Sequence, residues 1–128
     1  MGKFDLMDID PECIPLLETL RRIKGVQTHS SCCGHYVRPF VITFNCGIRG
    51  LNVIARSVNW NYYYPENPWE LSIQGVDIDA MCGMYYLYVL QTKKPFKNEE
   101  DLLKNTIGLG EIIDYWNDSN AFGSKRRR

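Results

Sequence analysis

Thr28-His29-Ser30-Ser31-Cys32-Cys33-Gly34-His35 is followed, after three residues, by Pro39-Phe40-Val41-Ile42-Thr43-Phe44-Asn45. In the second stretch Phe40, Ile42 and Phe44 alternate with Val41 and Thr43, the two-residue period of a strand with one buried face. Val26 to Ser30 reads as a shorter strand of the same kind. The cysteine- and histidine-rich motif therefore falls in a strand-loop-strand connection, where a rigid scaffold can hold polar groups in place.

Upstream, a helix is predicted from about Glu12 to Lys24. Cys13, Leu16, Leu17, Leu20 and Ile23 recur at helical spacing, while Glu18, Arg21 and Arg22 fall elsewhere. Pro11 and Pro15 suit only its first turn, and Gly25 suits a C-terminal cap. Downstream, Ile48, Leu51, Ile54, Ala55 and Val58 mark a second helix over Gly47 to Val58, which Asn45 is placed to cap. Gly50 weakens it. Trp60 to Trp69 carries three successive tyrosines and two prolines, and reads as a rigid aromatic connection or hairpin, packed mainly in the core. A half-exposed strand follows from Trp69 to Gln74, then a turn built on Asp77, Asp79 and Gly83, then an interior strand from Met84 to Leu90. A last helix begins at Asn98, with Glu99, Glu100 and Asp101 in the turn where the helix dipole favours negative charge, and extends to about Trp116. Gly108 and Gly110 weaken its middle.

The resulting order, α-β-β-α-β-β-α, predicts an α+β fold: a four-stranded, mainly antiparallel sheet with helices packed on one face. With 128 residues, 45% of them apolar, residues 1–122 suffice for a single core. Residues 123–128 form a basic tail that is expected to be flexible.

Fifteen basic and fifteen acidic residues cancel, so net charge does not indicate a nucleic-acid partner or an anionic membrane. No apolar run approaches the ~20 residues of a membrane span and the start does not read as a secretory signal, so a cytoplasmic protein is expected. Five cysteines is an odd number, which favours reduced thiols, with Cys13, Cys46 and Cys82 as small core residues. Tyr85, Leu87 and Val89 are apolar enough to need cover beyond the helices, and a homodimer is the expected source of it.

Three chemistries are open to the motif. Cys32, Cys33, His35 and His29 are all zinc-ligand types, but adjacent cysteines rarely place both sulfurs on one ion and no second paired motif exists, so no metal is expected. A nucleophilic Cys32 or Cys33, activated by His35 or His29, lacks an orienting acid. A binding loop needs no special geometry: hydroxyls of Ser30 and Ser31, the backbone around Gly34 and the cation Arg38 suit an anionic ligand such as a phosphate. Against all three stands a plain strand-turn connection.

The motif, with Pro39-Phe40-Val41-Ile42-Thr43-Phe44, resembles a T-x-x-S-C-C-G-H…P-F-x-I-x-F pattern of small phage and prophage proteins. It is also similar to the T-x-S-S-C-S-G-R signature of tRNA wybutosine-synthesis methyltransferases, which use S-adenosylmethionine; Thr28, Ser30, Ser31, Cys32 and Gly34 match, and Cys33 and His35 depart. The resemblance implies a loop lining a ligand or nucleic-acid pocket. The expected function is a small phage-type binding protein, acting in phage-host interaction. Its pocket for a nucleotide-like or anionic ligand is formed by Ser30, Ser31, Cys32, Cys33, Gly34, His35 and Arg38. The alternative is a methyltransferase-like or thiol-dependent enzyme acting on nucleic acid or a nucleotide.

Overall fold

A computed structural model of the protein describes residues 9–61, 67–79 and 83–119. The basic tail, Cys82 and Tyr62 to Tyr64 lie outside the described residues. A short 3-10 turn, Pro11–Cys13, leads into α1 (Ile14–Arg21); then come β1 (Gln27–Cys32), β2 (Val41–Asn45), α2 (Ile48–Asn61), β3 (Trp69–Asp79), β4 (Gly83–Thr92) and α3 (Glu99–Asp118). The sheet order is β1-β2-β4-β3, antiparallel at every pairing. The expected α+β fold is the fold observed. No described helix is long and apolar enough to cross a membrane.

Alternation in β2 does what its sequence predicts: Ile42 and Phe44 are fully buried while Val41, Thr43 and Asn45 are half-buried. They pair with Leu90 and Tyr88 of β4, and this face of the sheet joins Leu16, Leu20, Ile54, Leu102, Leu109 and Ile113 of the helices in one core. Trp69 lies in the same core, with its ring edge-on to Phe40 at 5.6 Å. On the opposite face, Leu87 and Val89 are half-buried. The side chain of Tyr85 lies outside the described residues.

Several local expectations change. Helix α1 ends at Arg21 rather than Lys24, because the chain leaves it through Gly25 at φ +89°, a left-handed conformation suited to glycine. Strand β1 continues past Ser30 to Cys32. Asn45 does not cap α2: it ends β2, its side chain bonds His29, and Gly47 C=O accepts the first helical bond from Leu51. Asp77 and Asp79 belong to β3, paired with Met84 and Gly83, so the strand is longer than predicted. Asn98 does cap α3, accepting the Asp101 N–H at 2.9 Å, while the Asp101 carboxylate accepts that of Lys97. Gly110 does not interrupt this helix. A Cβ there would meet Thr19 Oγ1 of α1 at 3.4 Å, an ordinary contact, so α1 packs against α3 at this point.

The loop is tied to the sheet by Thr92, whose fully buried hydroxyl accepts the Phe40 N–H at 3.0 Å and donates to Lys94 C=O at 2.8 Å. Thr92→Val keeps the shape and strands both partners. It is expected to destabilise the protein by about 2 kcal/mol in urea denaturation.

Candidate functional site

Strand β1 runs along the sheet edge, and its register with β2 slips at His29: Thr28 pairs with Phe44, and Ser30 already with Thr43. The extra residue is a bulge, a device that re-aims side chains. His29 turns to bond Asn45 Oδ1 through Nε2 at 2.7 Å, and the Ser30 hydroxyl meets that of Thr43 at 2.6 Å. Ser31, paired with the buried Ile42, faces inward toward the Cys13 thiol. Burial pushes that thiol up to about 12, so Cys13 is an inert core sulfur. Cys46 is likewise pushed up to about 11 by burial.

A groove of about 330 Å³ lies between α1 and this bulged strand, lined by Ile9, Leu17, Arg21, Thr28, His29, Ser30 and Ser31. Arg21 donates from Nε to Thr28 Oγ1 at 3.2 Å. Its terminal guanidinium nitrogens have no partner among the described residues, so a cation is held at the groove with donors to spare.

Beyond Cys32 the chain makes a tight 3-10 turn. Gly34, His35 and Tyr36 all adopt left-handed backbone, at φ 84°, 52° and 64°. A Cβ on Gly34 would stand 2.9 Å from the Pro39 carbonyl oxygen, so only glycine fits. The turn aims two backbone donors at sulfur, Gly34 N–H at Cys32 Sγ and His35 N–H at Cys33 Sγ, each at 3.4 Å. It also brings in a residue the sequence reading missed. Asp10 Oδ2 accepts the Cys33 N–H at 2.9 Å and lies 3.7 Å from His35 Nε2. That hydrogen bond from Cys33, with partial burial opposing it, holds the Asp10 carboxyl below its ordinary range.

The signal for Asp10 was geometric rather than compositional. A 3-10 turn plus two helical turns spans roughly 18 Å, and six strand residues span roughly 20 Å. A helix that returns as an adjacent strand of equal length sets the residue before the helix beside the residue after the strand. Of the seven candidate residues, two line the groove. Ser30 and Ser31 line the groove; Cys32 and His35 gather with Asp10; Cys33 and Gly34 shape the turn; Arg38 is exposed and lines neither.

The His35 ring stands between Cys33 Sγ and Asp10 Oδ2, 3.7 Å from each, in the order thiol, imidazole, carboxylate. This supplies the orienting acid that was missing for a nucleophilic cysteine. Cys33 is only 2% exposed, however, and burial pushes its thiol up, which leaves it neither reachable nor readily ionised. Arg49 and Arg56 form no open basic patch, since Arg49 bonds Asn117 and Arg56 stacks over the Trp116 ring at 4.8 Å. No protein-family model, curated protein or solved structure matches the chain.

Proposed function

We propose that this is a small ligand-binding protein whose groove between α1 and β1 takes the phosphate of a nucleotide-like ligand. The observation that carries this reading is Arg21, anchored by Thr28 and with no partner for its terminal nitrogens among the described residues, in a groove that Ser30 and Ser31 also line. A guanidinium meets phosphate through paired charge-assisted hydrogen bonds, and hydroxyls complete the shell. The groove is near the lower size limit for small-molecule sites, enough for a phosphate and part of a nucleoside. The likeness of the loop to the methyltransferase signature points to the same class of ligand. The cation is Arg21, from the facing helix, in place of Arg38.

The enzymatic alternative draws no support from Cys33, the thiol that His35 Nδ1 meets, because that thiol is buried. Calorimetric titration with nucleoside monophosphates and inorganic phosphate tests the binding reading. Wild type is expected to bind, and Arg21→Ala to weaken binding by about 10- to 100-fold, corresponding to about 1.5–3 kcal/mol for a charged hydrogen bond. Equal binding by the two proteins, or none by wild type, refutes it.

A further inference from the structure

We propose that Asp10, Cys32 and His35 together bind one zinc ion. One donor atom from each residue, a carboxylate oxygen, a sulfur and a ring nitrogen, lies within 4.8 Å of the other two. Ligands held at zinc's usual bond lengths on a tetrahedron stand roughly 3.3–3.8 Å from one another. For an oxygen and a nitrogen the separation is about 3.3–3.5 Å, and Asp10 Oδ2 and His35 Nε2 stand slightly outside it, at 3.7 Å. All three side chains are at least partly exposed, so closing the site around an ion calls for side-chain rotation.

The surroundings supply independent support. Gly34 N–H points at Cys32 Sγ at 3.4 Å and fixes the direction of that sulfur. Asp10 is oriented by the Cys33 N–H. With Nε2 on the ion, His35 Nδ1 faces Cys33 Sγ at 3.7 Å, so the ring keeps an outer partner, a thiol where a carboxylate or carbonyl is more usual. His35 and Tyr36 hold left-handed backbone without being glycine, a conformation that persists where a site requires it. Adjacent cysteines, which spoke against a metal in the sequence, do not have to share the ion here: Cys32 is the ligand and Cys33 its neighbour.

The donor set selects the ion. A thiolate disfavours magnesium and calcium, a carboxylate disfavours copper(I), and one sulfur, one nitrogen and one oxygen suit zinc. Binding releases the Cys32 thiol proton to solvent and forms a Zn–S bond, with no change of oxidation state. Three protein ligands leave a fourth position for water or an anion, and the His35 side chain, 60% exposed, puts it at the surface.

The test uses the full chain, expressed without a polyhistidine tag, stripped by chelator, and titrated with Zn²⁺ against a chromophoric indicator and with Co²⁺ followed by absorption. One ion per chain is expected, with a thiolate-to-cobalt charge-transfer band. Cys32→Ser should remove that band. Asp10→Asn and His35→Ala should each weaken Zn²⁺ binding by about 100-fold or more, beyond the 10–100-fold typical of outer partners. Cys46→Ser and Arg21→Ala should leave it unchanged, which separates this site from the groove. No stoichiometric binding by wild type, a band that survives Cys32→Ser, or wild-type affinity in His35→Ala overturns the proposal. If Cys32→Ser fails to fold by circular dichroism, the exposed His35→Ala decides the matter.

Discussion

Gly34→Ala is expected to destabilise the protein by about 3 kcal/mol and to displace the turn that carries His35. Two costs add. An alanine held in the left-handed region loses roughly 1–2 kcal/mol relative to its preferred backbone. Its Cβ would also stand 2.9 Å from Pro39 O and 3.0 Å from Pro39 C, backbone atoms that cannot rotate away, and overpacking of this kind costs about 1–3 kcal/mol. Gly25→Ala is the control, because Gly25 has the same left-handed backbone at φ +89° but open space around its Cβ position. It should show only the first cost. Urea midpoints of the two variants separate the terms; equal losses would mean that the contact with Pro39 relaxes without cost.

Phe40→Ala is expected to cost about 3–5 kcal/mol, a large share of the roughly 5–15 kcal/mol that stabilises a domain of this kind. Phe40 is fully buried and meets Trp69 and Phe96 edge-on, at 5.6 and 5.8 Å. Trp69 and Phe96 also contact each other at 5.9 Å, so all three rings border the void. Neither neighbour can fill it without losing its own contacts, which is why the cavity term should be near its upper range. Ile73→Ala is the comparison: the side chain is equally apolar by type but 62% exposed, and its loss should stay within about 0.5 kcal/mol. Thermal and urea denaturation check both. A Phe40→Ala loss below about 1.5 kcal/mol would show that the aromatic cluster repacks.

The same residues show how far the fold could be read from the chain. Phe40, Ile42 and Phe44 announced a strand with one buried face, and Leu16, Leu17 and Leu20 a helix to cover it, because burial periodicity is a local property. Asn98 announced the start of α3 through a bond that closes within three residues. Where bonding partners are distant in sequence, the reading failed. Asn45 looked like a helix cap but is claimed by His29 across the hairpin. Asp77 and Asp79 looked like turn residues but are carried by pairing with β4. Gly110 looked like a helix weakness until α1 was packed against it.

For the site, the sequence by itself determined which chemistry is available: two thiols, an imidazole, two hydroxyls and a glycine that alone tolerates the turn, all within a few residues of one another in the chain. Tertiary structure alone decided how these groups are divided. The bulge at His29 turned Ser31 toward α1 and the groove, and the left-handed turn at Gly34 swung His35 toward Asp10. The helix that returns beside β1 delivered Arg21 to one end of the loop and Asp10 to the other. The physical reason is that donor types are written residue by residue, whereas a binding geometry depends on which elements are adjacent, and that is set by the shared burial of faces far apart in sequence.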